Sequence, residues 1–264
     1  MTDIQTLLQS PSIVVRVASA KGSTPREGDA LMVVSTSAIH GTVGGGQLEY
    51  MAIDHARKML ATGIDKDTMQ LPLGPEIGQC CGGNVVLSLA RVRDGDALLR
   101  EVEEIERGNP AVYVFGAGHV GRALAASLSL LPIDTHLIDS REAELSMATD
   151  AVHHHLLAMP ESLVQGARTG SAFVTMTHDH ALDFVILSEV LKRDAAYLGM
   201  IGSKTKRAQF ERWYERDGGN RADCARVTSP IGGPSGDKRP AVIASYVAAE
   251  IMRAFETANV EETA

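Results

Sequence analysis

The chain has 264 residues, 44% hydrophobic and 22% charged, with a formal net charge of −8 at pH 7. That length suggests two domains or one large one, long enough to bury a sizeable core. The acidic balance excludes duplex nucleic acid as the main partner, because phosphate binding needs a dense Lys/Arg face.

The opening residues carry no basic segment followed by a long apolar run, so no signal peptide is expected there. Arg16, Glu250 and Arg253 interrupt the longest apolar stretches before any reaches the ~20 residues of a membrane span, so no membrane partner is expected. The three cysteines, Cys80, Cys81 and Cys224, have the wrong number and parity for a disulfide scaffold. They imply reduced thiols and a cytoplasmic location.

In chain order, residues 12–19 and 30–36 read as strands rich in β-branched side chains, with loop signals from Gly22 to Gly28 between them. After Gly41-Thr-Val-Gly-Gly-Gly46, a helix is expected over 47–60, where Leu48, Met51, Ala52, Ala56 and Met59 recur at helical spacing. Residues 68–73 and 84–92 read as strands flanking a glycine- and cysteine-bearing loop. A charged helix over 94–108 ends at Gly108-Asn109-Pro110, where the domain boundary is placed, giving an N-terminal α+β domain of 1–108 and a second domain of 109–264.

The second half alternates: strand 111–115, helix 119–130, strands 135–139 and 171–176, helix 180–192, strand 196–201, helix 204–216. Such alternation implies a parallel sheet covered on both faces. Pro240 opens a last helix running to about Phe255, since proline fits the first helical turn.

Gly116-Ala-Gly118-His119-Val120-Gly121 follows an apolar strand and opens an amphipathic helix, with Asp139 at the end of the next strand. In that setting GxGxxG is a strong sign of a Rossmann-like domain. Gly116 permits the tight turn, Gly118 lets a pyrophosphate approach the backbone, and Gly121 allows close helix packing. Asp139 is placed to accept from ribose hydroxyls and Arg141 to meet a 2′-phosphate, so NAD(P) is one candidate occupant. The plain alternative is a turn kept for packing alone.

Gly202-Ser203-Lys204 repeats the strand–glycine–helix pattern. Ser203 suits an N-cap, and a bound phosphate would offset basic charge at the helix start. Lys206 alone reads as part of a solvated basic face. His178 and His180, with Asp183, match no trusted zinc spacing. Asp179 or Asp183 more naturally serves the helix start, with a histidine lining the cleft. His153, His154 and His155 make a poor chelating triad, because alternate strand side chains face opposite ways.

Gly78-Gln79-Cys80-Cys81-Gly-Gly83 sets neighbouring thiols on a permissive turn. Three roles suit them: molybdenum ligation, carriage of a persulfide, or a strained vicinal disulfide. The plain alternatives are a tight turn of small residues or a regulatory thiol. Cys224 has no such setting and reads as incidental.

Taken together, Gly22-Ser-Thr-Pro-Arg26, Gly44-Gly-Gly-Gln-Leu-Glu49, Leu73 to Gly83, Phe115 to Arg122, Asp139-Ser-Arg141, Thr177 to His180 with Asp183, Tyr197 to Lys204 and Ser229-Pro-Ile-Gly232 resemble the XdhC/CoxI family of xanthine dehydrogenase accessory proteins. The resemblance covers nearly the whole chain. It implies a chaperone that binds the molybdenum cofactor (molybdopterin), promotes its sulfuration with a cysteine desulfurase, and delivers it to a xanthine-dehydrogenase-type apo-enzyme. It places Gln79, Cys80 and Cys81 in the family's cysteine loop, the candidate site of sulfur or cofactor handling, with Cys80 and Cys81 as candidate molybdenum ligands.

The expected cofactor-binding set is Gly116, Gly118, His119, Val120, Gly121, Asp139, Arg141, His178, Gly202, Ser203 and Lys204. A homodimer is expected. One departure from the family pattern is the tail from Gly233 to Pro240, which stands where a more apolar stretch belongs and bears on C-terminal packing or a partner surface. The competing reading is an NAD(P)-dependent oxidoreductase. Against it, the chain shows no obvious Tyr-Lys or His-acid pair near the site, and the cysteine loop would be idle. A binding and delivery protein without turnover is the expectation.

Overall fold

The computed structural model describes residues 4–21, 30–73, 83–233 and 236–263. They divide into two compact units, Met1–Glu104 and Ile105–Ala264.

The first unit contains α1 (Ile4–Leu8), β1 (Ser12–Lys21), β2 (Leu31–Ser35), β3 (Ile39–Gly41), α2 (Gly46–Thr62), β4 (Lys66–Leu73) and β5 (Gly83–Arg91), and α3 (Gly95–Arg107) follows. The five strands form one sheet in the order β3-β2-β1-β5-β4, every pair antiparallel. Strand period sorts the side chains by face. Ile13, Val15, Val17, Met32 and Val34 pack with Leu48, Ala52, Ala56 and Met59 of α2. Val14 and Val33 point the other way, against Ile4, Leu7 and Leu98. Gly63, in the left-handed conformation, stops α2 and donates its N–H to the Met59 carbonyl.

The second unit runs β6 (Ala111–Phe115), α4 (His119–Leu128), β7 (Asp134–Asp139), α5 (Glu142–Leu145), β8 (His153–Leu156), α6 (Ser162–Gly166), β9 (Ala172–Thr175), α7 (His180–Leu191), β10 (Tyr197–Met200), α8 (Lys204–Arg216), a 3-10 turn (Arg221–Arg226), β11 (Val227–Thr228) and α9 (Pro240–Thr263). Its sheet is parallel, ordered β11-β10-β9-β6-β7-β8. Both faces are covered, as the alternation predicts. Val112, Val114, Leu137 and Val174 meet α4 and α9 on one side. Phe115, Ile138, Phe173, Leu198 and Met200 meet α7 and α8 on the other. The fold is therefore α/β overall: an antiparallel-sheet unit followed by a Rossmann-like unit.

The last helix extends to Thr263, beyond the expected end near Phe255. Ala244, Val247, Ala248, Ile251 and Phe255 bury against the α4 side of the sheet. The polar tail before Pro240 thus costs no C-terminal packing.

The chain winds outward from β6 to β8, then returns to build β9, β10 and β11 on the other side. The direction reverses between β6 and β9. In such sheets ligands lie beyond the carboxyl ends of the strands at that point. Because all six strands are parallel, the segments after β6, β7, β9, β10 and β11 share one edge.

Candidate ligand site at the carboxyl edge of the parallel sheet

The three glycines of the first turn have different reasons to be glycine. Gly116 has φ +115°, and a Cβ there would lie 2.4 Å from the Met176 carbonyl oxygen. A Cβ on Gly121 would lie 1.8 Å from the carbonyl oxygen of Gly116. Both positions are closed by the fold itself. Gly118 differs: its φ of −66° suits any residue, and a Cβ would meet nothing within 4 Å.

Gly118 is also the N-cap of α4, and no side chain caps that helix. The helices after β9 and β10 are capped, by Asp179 accepting from the Ala181 amide and by Ser203 accepting from the Lys206 amide. Of these three helix starts, the uncapped one, with exposed His119 and half-buried Val120, leaves its amides and dipole open to an anion; the four-residue α5 after β7 is also uncapped. The contrast between the glycines is measurable. Gly121→Ala is expected to cost about 1–3 kcal/mol by overpacking, and Gly118→Ala less than about 0.5 kcal/mol. Equal urea midpoints for the two variants would show that the turn has slack the geometry does not.

Asp139 does something other than await a ribose. Its carboxylate is buried. Oδ2 accepts from the Ala117 amide at 2.7 Å and Arg141 Nη2 at 2.8 Å, while Oδ1 accepts from the Arg141 amide at 3.0 Å and Nε at 2.9 Å. Both oxygens are engaged, so the residue clamps the glycine turn, and Arg141 folds back on it instead of reaching out to a 2′-phosphate. Burial pushes this carboxyl up. The hydrogen bonds from Arg141 and Ala117 outweigh that and hold it below its ordinary range. A lowered carboxyl stabilises above its unfolded value, and that support is lost as pH falls through the lowered one.

Arg122, which the sequence reading did not single out, completes the brace. Its Nη1 donates to the Ala117 carbonyl at 2.8 Å and to Glu144, which also pairs with Arg141. The available signal was its place directly after Gly121.

The loop after β9 and the loop after β10 are joined from beneath. Asp183 is fully buried; its Oδ1 accepts from the Thr177 amide at 3.0 Å and its Oδ2 from Lys206 Nζ. Lys206 is only 5% exposed, which corrects the expected solvated face. Room for it comes from Gly202, at φ +143°, where a Cβ would lie 2.5 Å from Lys206 Cδ. Arg207 is also structural, donating to the Val227 and Cys224 carbonyls and to Glu211. Lys204, exposed, is the basic residue left at the mouth of this helix.

His178 and His180 are exposed beside Asp179, while Asp183 points inward to Lys206. Asp183 is thus engaged by Lys206 and not turned toward the two histidines as a third ligand. Among the described residues, no group of three His, Cys, Asp or Glu is placed to hold a metal ion. His153 and His155 face His136, whereas His154 bonds to the Thr149 carbonyl, which is the alternation expected of a strand.

Cys224 is buried in the core, where burial pushes its thiol up. In the first unit, Glu49 accepts from Thr42 Oγ1 and the Gly45 amide and so closes the Gly44–Gly46 turn. Gln79, Cys80 and Cys81, and the Gly22–Arg26 segment, lie outside the described residues.

Among the described residues no helix is long and apolar enough to cross a membrane. Residues 112–251 match the XdhC Rossmann domain, and residues 9–70 match the XdhC and CoxI family. YqeB of Escherichia coli K12 is 26% identical over 258 residues, covering 92% of this chain and 43% of its own length. The chain thus spans less than half of that relative. The molybdenum cofactor insertion chaperone PaoD of the same organism is 24% identical over 249 residues, covering 84% of this chain and 76% of its own. A crystal structure from Bacillus halodurans, described as a xanthine dehydrogenase, superposes with a TM-score of 0.77 at 17% identity, covering 97% of this chain and 96% of that one, a likeness of fold. With one family model spanning more than half of the chain and a second covering most of the first unit, the chain belongs to the XdhC and CoxI family.

Proposed function

We propose that this protein binds the phosphate of a molybdopterin-type cofactor at the Gly116–Gly121 turn and carries that cofactor, as cargo, to a xanthine-dehydrogenase-type apo-enzyme. The observation that carries the reading is Gly118: a glycine the fold does not require, at an uncapped helix start on the ligand edge of a Rossmann-like sheet. Absence of a side chain there leaves the phosphate oxygens a free path to the backbone amides. Asp139 and Arg122 hold the turn in shape from behind.

The relationship to PaoD, named as a molybdenum cofactor insertion chaperone, favours molybdopterin over a nicotinamide dinucleotide. So does the engagement of both Asp139 oxygens, which leaves neither open for a ribose. On this reading the cofactor is sulfurated while held, with sulfur passed from a cysteine desulfurase by way of Cys80 and Cys81. The working unit is a homodimer.

Gly118→Val puts a branched side chain where the phosphate must approach. Loss of one or two hydrogen bonds to a charged group should weaken molybdopterin binding roughly tenfold to a hundredfold in titration calorimetry, with an unchanged circular dichroism spectrum. NADH and NADPH are titrated alongside. Wild-type protein that binds either of them and ignores molybdopterin would overturn the cargo reading in favour of a dehydrogenase.

A further inference from the structure

A phosphate-bearing ligand also needs a seat for its flat, apolar part. One exists further along the same sheet edge. A pocket of about 450 Å³ opens at the carboxyl ends of β10 and β11, walled by Ile201, Gly202, Pro230, Ile231, Ile243 and Tyr246. That volume falls within the range of small-molecule sites, and the makeup is typical of them: mostly apolar walls with a few polar groups. Ser203, Asp237 and Lys238 supply the polar part.

The walls are fixed in advance. Glu250 Oε2 accepts from Tyr197 Oη at 2.6 Å and from the Gly232 amide at 2.9 Å, which ties the β11 turn to α9. Gly199 has no side chain because Tyr197 and Ile231 fill that space. Tyr246 remains 49% exposed, an aromatic face that the fold does not cover. Beside Pro230, the Ser229 hydroxyl is buried and has no hydrogen-bond partner among the described residues.

Position matters as much as lining. β10 is two strands from β6, with β9 between them. At the usual strand spacing the pocket lies roughly 10 Å along the edge from the Gly118 turn. One small molecule can place a phosphate at the turn and a ring in the pocket.

We propose that this pocket seats the flat nitrogen-heterocyclic end of the phosphate-bearing ligand, stacked on Tyr246 and enclosed by Ile231 and Ile243, with the ring edge turned to the polar groups. The inference rests on the phosphate reading of the Gly118 turn. It names a ring chemistry that a pterin and a nicotinamide share, and the test separates the two.

Tyr246→Ala removes the stacking face at a half-exposed position, and Ile243→Trp fills the mouth. Both are compared with Gly118→Val for binding of molybdopterin and of NADPH, and for competition by inorganic phosphate. The expected result is a loss of roughly tenfold or more in molybdopterin affinity for both pocket variants, with phosphate competition unchanged in them and lost in Gly118→Val. If Ile243→Trp melts early, Tyr246→Ala decides. Wild-type affinity in the pocket variants, beside a weakened Gly118→Val, overturns the pocket and leaves the cargo reading intact. Loss of NADPH affinity in both pocket variants, with molybdopterin ignored by the wild type, keeps the pocket and overturns the cargo reading. A wild-type protein that binds neither heterocycle overturns the pocket.

Discussion

Lys206→Met is expected to destabilise the second unit by about 3–5 kcal/mol, the cost of leaving one charge of a buried pair without its partner. Asp183 is fully buried and Lys206 is 5% exposed, so water cannot take the lysine's place cheaply. Methionine keeps the apolar stem that packs on Gly202, so the loss reports the ammonium and not a cavity. The double variant Lys206→Met/Asp183→Leu removes both charges and should recover much of that stability, as buried pairs replaced by apolar residues often do. It cannot restore the tie between the loops after β9 and β10, because the Thr177 amide loses its acceptor. Molybdopterin affinity should therefore remain low in the double variant even where its urea midpoint returns. A single variant within about 0.5 kcal/mol of wild type would mean that the ammonium is solvated after all.

That lysine marks the limit of what the chain alone discloses. Strands such as 111–115 are legible because an unbroken apolar run flanked by Asn109-Pro110 and Gly116 has few other uses, and all five residues are buried. The helix of 204–216 is legible from its cap and its apolar spacing. β3, β8, β11, α5 and α6 span two to five residues, too few to show a period. The three glycines are legible because backbone geometry is local. Side-chain partners are not: whether Asp139 faces a ligand or its own turn depends on Arg141 folding back. Whether Lys206 faces water depends on Asp183, 23 residues earlier, and on the space Gly202 leaves. The heterocycle pocket draws on 201–203, 230–233 and 237–246, which only the folded sheet brings together.

The double variant Cys80→Ser/Cys81→Ser is expected to lose nearly all ability to activate a xanthine-dehydrogenase-type client, while the second unit stays folded. The loop lies outside the described residues, and the chemistry of sulfur decides the outcome. Serine keeps the size of cysteine but not its chemistry: a thiolate is polarizable, forms near neutral pH, and is the species that attacks sulfur and binds soft metals. If the loop were only a tight connection of small residues, the exchange would be nearly silent. Cys81→Ser alone should carry the larger share, because Cys81 directly precedes the Gly82-Gly83 pair of the family motif. Cys224→Ala is the control: that thiol is buried in the sheet's helix-covered core, and alanine avoids burying a lone hydroxyl. Two quantities are read, bound molybdopterin and client activity after reconstitution with sulfide withheld. Sulfur transfer through the loop requires activity to fall with cofactor still bound, and molybdenum ligation requires both to fall. A double variant that binds cofactor and activates its client as wild type does would remove the loop from the mechanism and leave delivery to the edge formed by Gly118 and the β10–β11 pocket.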